Sequence, residues 1–423
     1  MGKTSPFFSV VIPTYNSAAL IVHSVRAALA QTFRDFEIIV VGDGCTDNTG
    51  DILAREFGEE IRWKNLERNS GSQSTPNNEG IRLARGSHIA YLGHDDIWSR
   101  YHLELLAQVV RETGPDFAVS GAVYYGPPGS MFYQFTGIFD DPETARREFF
   151  PPSSFAHKRD LTDRIGGWRE PDELRAPVDC EILLRGASLG CRFASTKTIS
   201  VHKFAAGHRY LSYRFPCHDE QKNMLGRLGE PAGDARVLSE IVADINNGAT
   251  VSGVWYPDFE CFAPGELYRR NRHNKGLERT PPRLLEKMEL FIIDDSPAAL
   301  DWHPIAQHPI HGPFRWSGPN PNPAHLLNVR APGGVQVRIH IVDFANKNLA
   351  GSLKIDINER ETNFLCEKNA DGSYVVSATF SEAVNDGLLL RFRMPASVPI
   401  STEFGTCRAG LALSWVEIAP LRE

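Results

Sequence analysis

The sequence predicts an α/β fold in which a doubly wound sheet domain is followed by a helical connector and an antiparallel β-sandwich domain. In the first half, apolar runs alternate with segments of helical periodicity, and acidic residues follow several of the runs. From residue 304 the composition shifts to short alternating runs between turn signals. A chain of 423 residues suits two or three domains. We place them at 1–215, 216–300 and 301–423.

The first half alternates strands with helices. The apolar run 7–12 ends at Pro13, helical spacing follows, and Asp47 is a natural N-cap for the helix after the next apolar run. An unbroken apolar run indicates a strand covered on both faces. The expected strands are 7–12, 36–41, 62–66, 88–92 and 116–125, and the expected helices are 17–33, 81–85, 101–111 and one that begins near Asp179.

The remainder of the chain predicts helices near 234–245 and 283–290, and then six alternating runs. Such runs, separated by turn signals, are typical of an antiparallel sandwich, here of jelly-roll type. Trp316 and Trp415 are either a stacking platform for a glycan or core aromatics.

Composition excludes several classes of function. The formal charge is -7, and 45 basic and 52 acidic residues are mixed throughout, so no basic stripe predicts nucleic-acid binding. Seven scattered cysteines without a CxxC pair predict reduced thiols rather than a zinc site or disulfides. Without a signal-peptide layout or an apolar run near the ~20 residues of a membrane helix, we expect a cytoplasmic protein. Peripheral association with the inner face of the membrane and homo-oligomerisation stay open.

Polar residues follow three of the predicted strands. Ligands of doubly wound sheets bind outside the carboxyl ends of the strands, so these residues should meet in one crevice. Carboxylates there suit a hard cation that faces an anionic ligand, although turns favour the same residue types. A basic, aromatic stretch at 202–214 is either a phosphate site or a solvated loop. The strand-end residues are Thr14, Tyr15 and Asn16, then Asp43, then His94, Asp95 and Asp96.

Five segments together resemble the family-2 glycosyltransferases of the GT-A fold. They are SVVIPTYN at 9–16, VVGDGCTDNT at 40–49, the PNN loop at 76–78, the acidic strand end, and Asp179 with Glu181 before a helix. The resemblance covers residues 7–215 and rests on the order and spacing of these segments. For Asp179 and Glu181, complementing a helix dipole is the structural alternative.

The resemblance implies a nucleotide site. Asp43 would accept a hydrogen bond from the base, and stabilisation of its Asp-Gly turn is the alternative. Asn78 falls in a loop where the family often carries Arg-Asn, and we expect it to pin that loop. The implied nucleotide-binding residues are Pro13, Thr14, Tyr15, Asn16, Asp43, Asn78 and Asp95.

The resemblance also implies a divalent cation, Mn²⁺ or Mg²⁺, that bridges the phosphates of a sugar nucleotide. Asp95 matches the second Asp of the family's Asp-x-Asp pattern, while Gly93 stands in place of the first. His94 would add a ligand that favours Mn²⁺, or else point outward. His202 lies where some relatives present a histidine to the metal, and a core or surface histidine is the alternative.

Asp179 matches the family's catalytic base, with Val178 in place of the usual Glu before it. The implied activity is that of an inverting hexosyltransferase that moves a sugar from a nucleotide-sugar donor, a UDP-sugar by expectation. The acceptor would be a hydroxyl of a saccharide or lipid-linked saccharide in surface-polysaccharide synthesis. Two alternatives remain open at this point: a non-catalytic protein that binds glycans or nucleotide sugars, and a nucleotidyltransferase.

Overall fold

The computed structural model describes most of the chain, which divides into two compact units. The first unit comprises residues 1–126, 131–205 and 216–272, and the second comprises 127–130, 206–215 and 273–423. The described residues are 5–126, 131–206, 218–274, 282–292, 302, 306–317, 323–358, 360–385, 387–395, 397–402 and 405–421. The predicted division at 215 and 300 stays a prediction, whereas the contacts divide the chain in two.

The first unit is built on a mixed ten-stranded sheet with the order β10-β7-β6-β8-β4-β1-β2-β3, in which β9 pairs with β6 and β5. The neighbours β4, β1, β2 and β3 are parallel, and β8 is antiparallel to both β4 and β6. The strands are β1 (Phe8–Thr14), β2 (Phe36–Gly42), β3 (Arg62–Asn65), β4 (His88–Tyr91), β5 (Ile97–Trp98), β6 (Phe117–Tyr125), β7 (Phe132–Thr136), β8 (Phe155–Lys158), β9 (Phe193–Lys203) and β10 (Thr250–Gly253).

Helices cover both faces of this sheet. Alternate residues of β1 lie in separate apolar clusters: Val10 and Ile12 pack with one set of helices, and Val11 packs with the other. Burial of both faces explains the unbroken apolar runs of the sequence. The helices are α1 (Ala18–Leu29), α2 (Thr49–Phe57), α3 (Ser74–Leu83), α4 (His102–Thr113), α5 (Leu161–Ile165), α6 (Val178–Ser188), α7 (Asp219–Gly229), α8 (Gly233–Asn246) and α9 (Glu266–Asn274).

Two local features differ from the sequence prediction. The short helix expected at 81–85 is the end of α3, which begins eight residues after Leu66 at Ser74. The segment 218–272, expected as connector, belongs to the first unit: Met224 of α7 and Ile241 of α8 pack against Ile97 and Val123 of the sheet. These apolar helix faces need a partner, and the edge of the sheet supplies it.

The second unit holds a seven-stranded and a four-stranded antiparallel sheet with one apolar core between them, as predicted for a sandwich. Two further pairs, β11-β16 and β23-β24, complete it. Its strands are β11 (Arg283–Leu284), β12 (Glu289–Ile292), β13 (Ala306–His308), β14 (Gly312–Trp316), β15 (Ala324–Leu327), β16 (Val329–Arg330), β17 (Val335–Phe344), β18 (Lys354–Ile357), β19 (Arg360–Thr362), β20 (Phe364–Lys368), β21 (Tyr374–Phe380), β22 (Leu388–Arg393), β23 (Val398–Thr402), β24 (Gly405–Ala409) and β25 (Leu411–Pro420).

The helix predicted near 283–290 is wrong, because that segment contributes β11 and β12. Phe291 pairs with Val416 in β25, a partner more than a hundred positions away, and this pairing overrides the local helical pattern. Trp415 stacks on His340 with ring centroids 5.1 Å apart, and Trp316 packs edge-on against Phe314. Both tryptophans are half-buried.

Two further expectations concern thiols and membranes. The cysteines whose side chains are described, Cys45, Cys180, Cys191, Cys261 and Cys366, are free thiols, as predicted, while Cys217 and Cys407 lie outside the described side chains. Within the described ranges, every helix is too short or too polar to span a bilayer.

Candidate active site

The parallel strands β4, β1 and β2 bring the predicted strand-end residues together. Thr14 at the end of β1 is in register with Gly42 at the end of β2, and the Asp43 N–H donates to the Thr14 carbonyl at 2.8 Å. From the β4 side, His94 places its Nδ1 3.4 Å from the Pro13 carbonyl. The three polar strand ends therefore share one edge of the sheet, as the sequence predicts.

Asp43 is buried at this edge and organises the loop that follows β3. Its Oδ2 accepts hydrogen bonds from Asn69 Nδ2 at 3.0 Å and from the N–H groups of Ser70 and Gly71 at 3.0 and 3.2 Å. Its Oδ1 accepts only the shared Ser70 N–H among the described donors. A carboxylate has about four acceptor positions, so Oδ1 retains capacity for a ligand N–H. Reading of a base by Asp43 stays a prediction.

Helix α9 holds the same loop from the other side. The Gly71 carbonyl accepts hydrogen bonds from the Tyr268 hydroxyl at 3.3 Å and from Arg272 Nη1 at 3.1 Å. Gly71 has a φ of +79°, and a Cβ there would lie 2.7 Å from both of these atoms. A side chain at this position would displace the Tyr268 hydroxyl and the Arg272 guanidinium, and the positive φ would strain its backbone.

The remaining residues after β1 have mixed surroundings. Asn16, with a φ of +43°, accepts the Thr46 N–H at 2.8 Å and so ties the two loops together. The Thr14 hydroxyl is buried without a hydrogen-bond partner among the described residues. Tyr15 and Pro13 are half-buried at the same edge. Thr14 therefore has an unused hydroxyl, whereas the Asn16 amide serves the loop.

Asn78 pins the loop 166–168, in keeping with its expected structural task. Its Nδ2 donates to the Trp168 carbonyl at 2.7 Å, and its Oδ1 accepts the Trp168 N–H at 2.9 Å. A buried chain of hydrogen bonds follows: Trp168 Nε1 donates to the Tyr91 hydroxyl at 3.0 Å, and Tyr91 lies 2.7 Å from His157 Nε2. We call Asn78, Trp168, Tyr91 and His157 the tyrosine relay.

The donors and acceptors of the tyrosine relay match completely. His157 Nδ1 lies 2.7 Å from the Lys158 carbonyl, so Nδ1 carries the proton and Nε2 accepts from Tyr91. Burial lowers the pKa of His157 to about 4 and keeps the ring neutral. With both amide atoms of Asn78 occupied, its predicted contact with a nucleotide has no support from this geometry.

Asp96, rather than Asp95, is the fully buried member of the acidic cluster. Its carboxylate accepts hydrogen bonds from Lys203 Nζ at 2.9 Å and from the Ser153 hydroxyl at 2.5 Å. Burial raises the pKa of the Asp96 carboxyl, and the Lys203 ammonium opposes that rise. Asp95 is half-buried, and its carbonyl accepts from Gln221 Nε2 at 3.1 Å. Asp95 is thus the carboxylate nearer to solvent.

Gly93 lies where the carboxylates of Asp95 and Asp96 approach the backbone closely. A Cβ at this position would lie 2.9 Å from Asp96 Oδ2 and 3.0 Å from Asp95 Oδ1. The 2.9 Å contact is one that real Cβ atoms essentially never make, and the 3.0 Å contact is unusually tight, so a side chain here requires at least one of the two carboxylates to shift. Gly93 therefore accommodates the close approach of Asp95 and Asp96.

Asp179 lies in the first turn of α6 and belongs to the same electrostatic neighbourhood as the acidic cluster. Burial works to lower the pKa of Lys203, but the carboxylates of Asp96, Asp95 and Asp179 outweigh it and raise that pKa. Tyr124, which is in register with Lys203 across β6 and β9, has a raised pKa through burial, Asp96 and Asp179. The structure thus gathers Asp95, Asp96, Asp179 and Lys203, and we call them the charged cluster.

His202 does not belong to the charged cluster. It is 1% exposed, its Nδ1 lies 2.8 Å from the Tyr125 hydroxyl, and its Nε2 lies 3.3 Å from the Ser99 hydroxyl. Burial lowers its pKa to about 3. Both ring nitrogens are engaged, so the geometry contradicts the expected metal ligand and matches the alternative of a core histidine.

The donor set fits a divalent cation that is held mainly by substrate. Within the described ranges, no three His, Cys, Asp or Glu side chains are arranged as a metal site. Mg²⁺, however, is commonly held by one or two carboxylates with waters and substrate phosphates, and Asp95 is a half-buried carboxylate at the right edge. The carboxylates of Asp95, Asp96 and Asp179 all act on Lys203, so a diphosphate that binds beside them meets negative charge, which a divalent cation would offset.

Sequence reasoning missed three contributors to this site. Lys203 was visible only as part of a basic stretch, and His208, Arg209 and Arg214 of that stretch lie outside the described residues. Ser153 and Tyr256 carried no signal, since each reaches the site through pairings that are distant in sequence. The available signal for the ion pair with Asp96 was the position of Lys203 as the last residue of β9, directly after buried residues.

A mixed sheet covered on both faces, with carboxylates gathered at parallel strand ends, defines a GT-A-like α/β protein. Residues 9–167 match the family model described as "Glycosyl transferase family 2". Residues 9–167 therefore correspond to a family-2 glycosyltransferase domain, as the sequence resemblance predicts.

Similar proteins agree with this assignment. The glycosyltransferase GlyG of Streptococcus pneumoniae is 35% identical over 130 residues, which are 30% of this chain and 43% of GlyG. The poly(ribitol-phosphate) beta-N-acetylglucosaminyltransferase TarP of Staphylococcus aureus is 28% identical over 151 residues, or 35% of this chain and 45% of TarP. The chain thus spans less than half the length of these two curated relatives.

Among solved structures, S. aureus TarS 1-349 aligns with 57% of this chain and 72% of its own, at 21% identity and a TM-score of 0.39.

Proposed function

We propose that the protein is an inverting, cation-dependent glycosyltransferase that moves a sugar from a nucleotide-sugar donor to a hydroxyl of a saccharide acceptor. The observation that carries the proposal is the charged cluster at the strand ends of a family-2 domain. A UDP-sugar is the proposed donor. The names of GlyG and TarP, both transferases of sugars, support a role in surface-polysaccharide synthesis.

Asp179 is proposed to act as the catalytic base. In a single displacement, the acceptor oxygen bonds to the anomeric carbon while the bond from that carbon to the diphosphate oxygen breaks. The acceptor hydroxyl loses its proton to the Asp179 carboxylate, and the nucleoside diphosphate departs with the bonding electron pair. A positioned carboxylate contributes typically ~10²–10⁴-fold to such a step.

Asp95 would hold the divalent cation, with His94 as a second candidate ligand. When bound, that cation supplies Lewis-acid stabilisation of charge on the departing diphosphate. The Lys203 ammonium stays charged beside Asp96 and so fixes the arrangement of the acidic turn. Asp43 would select the base through Oδ1, since a buried acceptor discriminates strongly against ligands that lack the matching donor.

The proposal is tested by thermal shift with UDP-, GDP-, dTDP- and CMP-sugars, each with and without Mn²⁺. We expect one nucleotide series to raise the melting temperature, with the rise dependent on Mn²⁺ and lost in Asp95→Ala. Asp163→Ala, an exposed carboxylate on α5, is the matched control and should respond like the wild type. Absence of any stabilisation in the wild type would count against the donor site.

The product identifies the reaction class. A glycosyltransferase releases a nucleoside diphosphate from a sugar nucleotide, whereas a nucleotidyltransferase releases pyrophosphate from a nucleoside triphosphate. Binding without release of either product would favour a non-catalytic binding protein. Chromatography of the products from the same panel distinguishes these three outcomes.

A further inference from the structure

Two tyrosines near Asp179 have buried hydroxyls, and neither is used by the mechanism above; Tyr256 itself is half-buried. Tyr124 belongs to β6 and is 6% exposed. Tyr256 follows β10, outside the residues that the family model matches. Each hydroxyl is buried without a hydrogen-bond partner in the parts of the chain that the structure describes. A buried hydroxyl without a partner lowers the stability of the fold, so two of them beside a carboxylate indicate a binding site in which a ligand supplies the missing hydrogen bonds.

Backbone pairing fixes Tyr256 in this position. Its N–H donates to the Arg147 carbonyl at 2.9 Å, the Phe149 N–H donates to the Val254 carbonyl at 2.9 Å, and Trp255 bridges to Glu148. The Tyr256 ring lies between Phe149 and Phe259, with centroids 6.2 and 5.9 Å away. The ring is therefore held by the fold, which leaves its hydroxyl at a defined place.

Packing places both tyrosines beside the charged cluster. Lys203 Nζ lies 5.9 Å from the centroid of the Tyr124 ring, and Phe149 and Val254 pack against the apolar cluster that contains Tyr124. Phe149, the ring neighbour of Tyr256, also packs against the cluster that contains Val178, the residue before Asp179.

Burial raises the pKa of Tyr256, and the neighbouring Cys180, Asp179 and Glu148 add to the rise. For Tyr124, burial comes first, followed by Asp96, Asp179, Cys180 and Tyr256. Both hydroxyls therefore stay protonated at neutral pH and can donate as well as accept a hydrogen bond.

The chemistry of the surroundings selects a neutral polyol. Asp179 and Glu148 carry carboxyl groups near Tyr256, so a phosphate would meet negative charge there. Hydroxyls that both donate and accept match the hydroxyls of a sugar, and aromatic faces match its C–H groups. The oxygen that attacks the anomeric carbon must lie next to Asp179, so the rest of the acceptor sugar must occupy adjacent space.

We propose that the hydroxyls of Tyr124 and Tyr256 bind a second hydroxyl of the acceptor sugar and thereby position its nucleophilic hydroxyl against Asp179. The inference rests on the proposed glycosyltransferase function. It makes the segment 254–256 a part of the acceptor site, and it makes both tyrosines positioning residues for the acceptor rather than for the donor.

The test separates use of the acceptor from cleavage of the donor. Release of nucleoside diphosphate is measured with Mn²⁺ and the stabilising nucleotide sugar, first with water alone and then with the methyl glycosides of glucose, galactose and N-acetylglucosamine. We expect Tyr256→Phe and Tyr124→Phe each to raise the KM for the stimulating glycoside about three- to tenfold, the equivalent of one lost hydrogen bond. Release in water and the KM for the donor should change less than twofold.

Tyr101→Phe, which alters an exposed tyrosine on the same unit, is the matched control. An unchanged KM for the glycoside in both variants would overturn the inference, and so would a failure of all three glycosides to stimulate release. A lower melting temperature with equal losses for donor and glycoside would assign the tyrosines a structural role instead. If the wild type releases no nucleoside diphosphate even in water, the proposed function itself fails.

Discussion

Two buried polar groups of the first unit lie on the same sheet and differ in how completely they are satisfied. In the tyrosine relay, every described donor meets an acceptor and His157 is neutral. The charged cluster instead gathers three carboxylates around Lys203, and two neighbouring tyrosine hydroxyls lack partners among the described residues. Fully satisfied networks stabilise a fold, whereas clustered titratable groups and unused hydroxyls are characteristic of a ligand site.

The largest expected effect on activity is at Asp179. Asp179→Asn keeps the size of the side chain but removes the base, so we expect transfer to fall ~10²–10⁴-fold. The thermal shift by donor and Mn²⁺ should persist, because the donor is held elsewhere. Steady-state release of nucleoside diphosphate and melting temperatures measure both effects. A loss of donor binding as large as that of Asp95→Ala would contradict the separate roles of the two residues.

Lys203 tests whether the charged cluster also carries stability. Lys203→Met leaves the Asp96 carboxylate buried without its cation, and breaking such a pair costs about 3–5 kcal/mol. We expect urea unfolding of the first unit at pH 7.5 to show this loss. The double variant Lys203→Met/Asp96→Asn removes the uncompensated charge and should recover part of the stability. No recovery would mean that Lys203 acts through its aliphatic stem.

In the tyrosine relay, a single hydroxyl supports two neighbours. Tyr91→Phe leaves Trp168 Nε1 and His157 Nε2 without their partner, so we expect a loss of about 2 kcal/mol in the free energy of unfolding. Cleavage of the donor should be unchanged once the variant is folded. Tyr101→Phe again serves as control, with no expected change. A catalytic defect without a loss of stability would show that the relay belongs to the active site.

Buried histidines predict a dependence of stability on pH. Burial lowers the pKa of His102 to about 3 and that of His157 to about 4, below the ordinary value of 6.5. Between these values and 6.5 the unfolded state binds more protons, so stability falls as the pH falls through that window. Each such histidine contributes a slope of about 1.4 kcal/mol per pH unit. Urea unfolding between pH 7 and 5 should give a shallower slope for His102→Gln.

The sequence predicted the strand ends well because their signal is local. An apolar run such as 38–41, followed by Gly42 and Asp43, indicates both the strand and the polar residue that follows it. Partners supplied by distant strands were not predictable in the same way. Lys203 meets Asp96 because β9 pairs with β5, which begins directly after Asp96, and the same pairing sets His202 opposite Ile97 in the core.

In the second unit, too, strands with a local pattern were predictable, and strands formed by distant pairing were not. Its alternating runs were predicted as strands because each has an apolar face of its own. The segment 283–290 has no such pattern and becomes β11 and β12 only by pairing with β16 and β25. Local propensity therefore yields to non-local pairing where a strand is short.

Gly93 has a consequence for protein engineering and for the recognition of relatives. The important property of this position is the absence of a side chain, which lets two carboxylates approach the backbone closely. Sequence motifs that specify side chains do not record such a property. Restoring the family's Asp-x-Asp pattern with Gly93→Asp would place a third carboxylate next to Asp95 and Asp96. We expect this substitution to disturb the site, and even Gly93→Ala to require a shift of one of these two side chains.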